Sequence, residues 1–180
     1  IGWDVDIETL KLKPVNSEAC IQLFKDLDFH TFLKNPLFAN NKTLHYTVKV
    51  LATVEEVRDL AQKIMEKGFV SIDTETTSTV ARQALLVGIS LAVDTDEAYY
   101  IPVGHEIASG PDNAPFGETL TALKHVIESP AVLKIGQNLK YDYQVFKNHG
   151  LTLAVISFDV MISAYLIYPG TRRYGLDALA

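Results

Sequence analysis

Disulfide chemistry is absent: the 180 residues include a single cysteine, Cys20, so no bridge can form within the chain. Long apolar runs are missing as well. No stretch approaches the ~18 uninterrupted apolar residues of a membrane-spanning helix, and no membrane partner is expected. The opening residues, Ile1-Gly2-Trp3-Asp4, lack a basic segment followed by an apolar one, so no secretory signal is read. A starting methionine is also lacking, which points to an excised or processed piece. Neither internal repeats nor low-complexity segments occur. Finally, there is no excess of basic charge. A formal net charge of −6 excludes a basic sleeve around a nucleic-acid duplex. It does not exclude an enzyme acting on nucleic acid, because carboxylates that hold divalent cations keep a site acidic until metal and substrate arrive.

What is present is a globular balance, with 48% hydrophobic and 21% charged residues. A domain of this length buries roughly 70% of its unfolded surface and needs no staple. The first 45 residues are mixed in character. Asn16 is placed to cap a short helix carrying Ile21, Leu23, Phe24 and Leu27. A second short helix carrying Phe29, Phe32 and Leu33 stops near Pro36, and Asn40-Asn41-Lys42 reads as a turn. From Leu44 the pattern changes. Leu44 to Val50 alternates like a strand. Thr53 and Glu56 form a capping-box signature. They open a helix whose inward face is Val54, Val57, Leu60, Ala61, Ile64 and Met65, ending near Gly68. Strands follow over Phe69 to Ile72, Ala84 to Val93 and Ala98 to Val103, with Asp94 to Glu97 as a hairpin turn. Gly104 to Gly117 reads as surface loop. A helix over Glu118 to Ser129 precedes a strand over Val132 to Ile135. Another helix spans Leu139 to Asn148 and stops at Gly150. A strand over Ile156 to Phe158 leads to a last helix, capped by Asp159 and ended by Pro169-Gly170. This order predicts an α/β domain with a mixed sheet flanked by helices, antiparallel in its early meander and parallel in its later crossovers.

Chemistry concentrates in three carboxylates. Asp73 and Glu75 end an apolar strand, and residues two apart in a strand share a face. Hard divalent cations favour such oxygen ligands. The competing reading is an ordinary strand-to-turn junction. Asp142 lies four residues after Asn138, which is placed to cap a helix, and so shares its face. Its competing reading is a favourable charge near a helix N-terminus. A lone His105 at a loop junction reads as structural.

Ile72-Asp73-Thr74-Glu75-Thr76 resembles the first motif of the proofreading exonuclease superfamily. Gly136-Gln137-Asn138-Leu139-Lys140-Tyr141-Asp142 resembles the second, in the form found in bacterial family A DNA polymerases. Leu86-Val87-Gly88-Ile89-Ser90, Tyr99-Tyr100-Ile101-Pro102-Val103-Gly104-His105, Phe158-Asp159-Val160-Met161 and Tyr174-Gly175-Leu176-Asp177-Ala178-Leu179-Ala180 are similar to the same family. The likeness covers about residues 46–180, and residues 1–45 resemble the connector that follows a 5′-nuclease region.

The resemblance implies a ribonuclease H-like (DnaQ-like) exonuclease fold. It further implies a 3′→5′ proofreading exonuclease that releases nucleoside 5′-monophosphates by two-metal hydrolysis with Mg²⁺ or Mn²⁺. By motif, Asp73 would bridge both metals, Glu75 would hold the one on the nucleophile side, and Asp142 would hold the other. Thr74, Gln137, Asn138 and Tyr141 are expected substrate contacts. Leu85 is a further wall candidate, and Arg82, Lys134 and Lys140 are candidate phosphate contacts. The implied partners are a single-stranded or frayed DNA 3′ end and a polymerase domain in the same polypeptide. The setting would be the bacterial cytoplasm, and the protein a monomer. The family's third motif, Tyr-x-x-x-Asp, is absent, since Val155 precedes Asp159 by four residues and Arg173 precedes Asp177 by four. The fold is therefore expected to be incomplete at its C-terminal end, with one sheet face uncovered and little activity in the 180-residue piece alone. Two alternatives remain: a catalytically inactive exonuclease-like module bracing a polymerase, and a ribonuclease D-like enzyme acting on RNA.

Overall fold

A computed structural model of the chain describes residues 15–33, 46–106, 112–170 and 174–179. The expected stop at Pro36, the turn at Asn40-Asn41-Lys42 and the middle of the 104–117 loop lie outside those residues. The chain divides into two compact units, Ile1–Leu44 and His45–Ala180. In the first, helix α1 (Ser17–Asp26) starts where Asn16 Oδ1 accepts the Ala19 N–H at 3.1 Å, as expected, and a single turn, α2 (His30–Leu33), follows it. Phe24 and Phe32 stack between these helices with ring centroids 5.2 Å apart.

The second unit is built on a six-stranded sheet in the order β1-β4-β3-β2-β5-β6. Its strands are β1 (Thr47–Val50), β2 (Phe69–Thr76), β3 (Leu86–Ala92), β4 (Glu97–Pro102), β5 (Leu133–Gly136) and β6 (Ile156–Asp159). The meander β2-β3-β4 is antiparallel, and β2-β5-β6 is parallel, both as predicted. β1 adds to the edge in parallel with β4.

Alternation along β2 divides the sheet into two unlike faces. Val70 and Ile72 are buried on one, together with Ile89, Leu91, Tyr99 and Ile101. Helices α3 (Val54–Lys67), α4 (Phe116–Ile127) and α5 (Leu139–Asn148) add Val57, Ile64, Leu123, Val126, Val145 and Phe146 to the same core. Each large aliphatic side chain removed from water there contributes about 1.5–3 kcal/mol. The capping box at α3 forms fully: Glu56 donates its N–H to Thr53 Oγ1, and its carboxylate accepts the Thr53 N–H. Gly68 closes that helix at φ 74°, a left-handed conformation that glycine adopts without a Cβ penalty. Met65, expected inward, is 39% exposed, because it lies at the margin of the stripe defined by Val57, Leu60 and Ile64.

The other face of the sheet is open. It carries Asp73 and Glu75 of β2 beside the exposed side chains of Val50, Phe69 and Leu133. A 3-10 turn (Ala81–Gln83) and two short helices, α6 (Val160–Ile167) and α7 (Leu176–Leu179), complete the described elements. Among the described residues, no helix is long and apolar enough to cross a membrane.

Candidate active site

Three devices hold the carboxylates. The first is β2 itself, which continues through Asp73 to Thr76 rather than ending at Ile72. Its pairing with β3 shifts register between Glu75 and Thr76, an irregularity that re-aims the side chains after Glu75. Thr76 and Tyr141 then share a hydrogen bond through their hydroxyls, and Tyr141 also donates to the Ser78 carbonyl.

The second device is the turn from β5 into α5. Gly136 lies so close to β2 that an added Cβ would sit 2.7 Å from the Ile72 carbonyl oxygen and 2.6 Å from Leu139 Cδ2. Asn138 takes a left-handed backbone conformation at φ 59°, which asparagine tolerates better than most residues. Contrary to expectation, its side chain does not cap α5. The third device supplies that cap from 20 residues downstream. Asp159 accepts the N–H groups of Asn138 at 3.1 Å and Leu139 at 2.8 Å. The same carboxylate caps α6 through the N–H groups of Met161 and Ile162. Asp159 therefore joins the starts of two helices, and its expected role as a cap holds twice over.

Asp142, one turn into α5, is only 2% exposed and accepts a 2.6 Å hydrogen bond from the Thr74 hydroxyl. Burial pushes its carboxyl up to about 6. The Thr74 hydrogen bond opposes this shift, and the negative charge of Asp73 adds to it. Asp73 itself is displaced upward from the ordinary carboxylate value, first by partial loss of hydration and then by the charge of Glu75. Burial and the neighbouring negative charge thus both disfavour the charged forms of these acids.

Asp73, Thr74, Gln137, Asn138, Tyr141 and Asp142 line one groove of about 570 Å³, whose far wall is Met161 and Tyr174 to Leu176. Six of the seven predicted site residues therefore come together. Glu75 does not line the groove and stands further along the open face. Gln137 donates to the Tyr174 carbonyl at 2.6 Å. Its Oε1, like Oδ1 of Asn138, is shielded from solvent and has no hydrogen-bond partner among the described residues.

The all-oxygen donor set suits Mg²⁺ or Mn²⁺. Even so, among the described residues no three His, Cys, Asp or Glu side chains close on one point as a ready-made ion site. Thr74 holds Asp142 at the sheet margin, while Asp73 and Glu75 stand on the open face.

Lys134 departs from expectation. It is fully buried and donates to the carbonyls of Ser129 at 2.7 Å and Val132 at 2.9 Å, so it is not a phosphate contact. Its register with Val70 turns it to the core side, and burial lowers its ammonium to about 8. Leu85, 64% exposed, borders a different groove with His105, Phe116 and His149.

The profile of a family described as 3′-5′ exonuclease matches residues 48–180. The chain is 32% identical over 193 residues to DNA polymerase I of Pseudomonas aeruginosa, an alignment covering all of this chain and 21% of that protein. It thus spans about a fifth of the length of that relative. Among solved structures, the POL domain of Pol1 from M. smegmatis, in complex with DNA primer-template and dNTP, superposes with a TM-score of 0.60. The identity is 22%, over 74% of this chain and 22% of that one. Escherichia coli RNase D, an exoribonuclease involved in structured RNA processing, gives a TM-score of 0.50 at 20% identity over 68% of this chain and 30% of that one. Both likenesses speak to the fold: a mixed α/β exonuclease architecture of the DnaQ-like type.

Proposed function

Because the chain belongs to the 3′–5′ exonuclease domain family of bacterial family A DNA polymerases, we propose that it hydrolyses the terminal phosphodiester of a single-stranded or frayed DNA 3′ end and releases nucleoside 5′-monophosphates. The observation that carries this reading is the groove itself. It brings Asp73 and Asp142 together with two unpartnered amide oxygens, and the charge of each acid is unfavourable until a cation arrives.

Asp73, Glu75 and Asp142 are the residues that would hold Mg²⁺ or Mn²⁺. The bound cations would supply an activated water and neutralise charge on the phosphate and the departing 3′-oxygen. Thr74 keeps Asp142 oriented toward the groove. Gln137 and Asn138 line the groove between Asp142 and its far wall. Tyr141, fixed by Ser78 and Thr76, offers a ring against which a base can stack. Met161 and Leu176 form an apolar wall on one side. The wider setting we propose is a proofreading domain acting beside a polymerase domain of one polypeptide in the bacterial cytoplasm.

The test uses 3′- and 5′-labelled single-stranded oligonucleotides with Mg²⁺ or Mn²⁺, comparing the full-length polypeptide with its Asp73→Ala variant. Stepwise shortening from the 3′ end that disappears in the variant is the expected result. Cleavage unchanged by Asp73→Ala refutes the assignment. Absence of cleavage by the folded wild-type protein would instead favour a bracing module, and preference for an RNA oligonucleotide would favour a ribonuclease.

A further inference from the structure

The Glu75 carboxylate has no hydrogen-bond partner among the described residues, yet the sheet sets a phenol beside it. In the antiparallel pairing of β2 with β3, Glu75 stands opposite Gly88. Opposed residues project to the same face with Cβ positions about 5 Å apart. The space where a Gly88 side chain would stand is taken by Tyr100 of β4: a Cβ added to Gly88 would overlap the Tyr100 hydroxyl. The absence of a side chain at position 88 is what lets the ring cross the strand, and the hydroxyl consequently lies on the face of Glu75. The negative charge of Glu75 also displaces the Tyr100 phenol upward, as a second cause after burial.

A built support fixes that hydroxyl. His105 Nε2 lies 2.6 Å from Tyr100 Oη, with the two rings edge-on at 5.8 Å. The histidine is itself pinned. Its N–H donates to Asn113 Oδ1 at 2.9 Å, and its carbonyl accepts from Asn113 Nδ2 at 2.7 Å. Gly104, just before it, folds the chain back against β3 so tightly that an added Cβ would lie 2.7 Å from the Leu86 carbonyl. The N–H groups of Val103 and Gly104 both bond to the Val87 carbonyl.

We propose that Tyr100 is a positioning residue for Glu75 in the proposed exonuclease reaction, with His105 as its support. His105 Nε2–H donates to Tyr100 Oη. The phenol proton is then left to point toward the Glu75 carboxylate through one water, and holds it in the orientation the reaction uses. The inference rests on the exonuclease reading and adds to it a residue from β4, outside both carboxylate motifs.

The test is steady-state exonuclease kinetics on a single-stranded oligonucleotide, in the full-length polypeptide. Tyr100→Phe keeps the ring over Gly88 and removes only the hydroxyl. It should lower kcat about tenfold while KM stays within about twofold, with the melting temperature unchanged. His105→Ala should match it, whereas His105→Gln, which keeps an N–H donor, should recover most of the rate. In a Glu75→Gln background, Tyr100→Phe should add no further loss. A wild-type kcat in Tyr100→Phe, or a loss fully additive with Glu75→Gln, overturns the positioning role. Asp73→Ala runs alongside. If it abolishes cleavage while Tyr100→Phe does not alter it, only this inference fails; if Asp73→Ala cleaves normally, the exonuclease reading and this inference fail together.

Discussion

Removing the charge of Asp142 should make the metal-free protein more stable while abolishing the exonuclease. The carboxyl is 2% exposed and its value lies at about 6, against an ordinary 3.8. A displacement of that size is worth about 3 kcal/mol between the charged and neutral forms. Because the folded-state value lies above the unfolded one, folding favours the protonated acid. That contribution is complete below pH 3.8 and is lost as pH rises through about 6. At pH 8 the parent protein therefore carries the whole cost of a buried carboxylate.

Asp142→Asn removes the charge and keeps an oxygen to accept the Thr74 hydroxyl. The new amide N–H₂ has to find a partner in the groove, which takes back about 1–2 kcal/mol. The expected net gain is about 1–2 kcal/mol at pH 8, turning into a loss of about 1 kcal/mol near pH 4, where the folded parent acid is neutral and only the amide cost remains. Urea denaturation followed by circular dichroism, in EDTA at both pH values, reads this directly. Added Mg²⁺ should narrow the difference at pH 8, since a cation bound to the folded parent relieves the same cost. A variant less stable than the parent at pH 8, or a gain of equal size at both pH values, would refute the electrostatic account.

Asp159→Ala removes the acceptor for four backbone N–H groups at two helix starts, and should cost about 2–4 kcal/mol in thermal or urea unfolding. Gly136→Ala pushes a methyl against the fixed Ile72 carbonyl, so a loss of about 1–3 kcal/mol and a lower kcat are expected from the displaced α5. Lys134→Met should leave KM for DNA and its salt dependence unchanged, because the ammonium is sealed against the Ser129 and Val132 carbonyls; a weakened, less salt-sensitive KM would restore it as a phosphate contact.

Local signals in the sequence were faithful where local physics decides. Thr53 and Glu56 satisfy each other within one turn, Gly68 stops α3, and the apolar spacing of Val57, Leu60 and Ile64 fixes its inner face. Asp73 and Glu75 share a face because strand alternation admits no other outcome once β2 pairs on both sides. What escaped was long-range. Asn138 has the chemistry of a cap, but its own N–H belongs to Asp159, and the conformation that permits this appears only once β6 lies beside β5. The burial of Lys134 follows from its register with Val70, which no pattern within the four residues of β5 encodes. Tyr100 reads as one aromatic of a strand until β3 is placed beside β4 and the missing side chain of Gly88 becomes an opening.

The site straddles the two faces of one strand: Asp73 and Asp142 line one groove, and Glu75 stands further along the open face. Thr74 points to the buried side and engages Asp142 from α5, while Asp73 and Glu75, its neighbours in sequence, project to the open side. A helix carboxylate and two strand carboxylates can then face a common substrate only around the margin of the sheet. The register shift after Glu75 lies at that margin. Burial is the first cause of the upward displacement of both Asp73 and Asp142, and the charge of a neighbouring carboxylate adds to it in each case. The Thr74 hydroxyl donating to Asp142, and the Leu139 N–H at the start of α5 donating to Asp159, keep the groove in shape despite this cost. The protein thus holds its acids in a costly arrangement near a common groove, and a divalent cation is the ligand class that would turn that cost into binding energy.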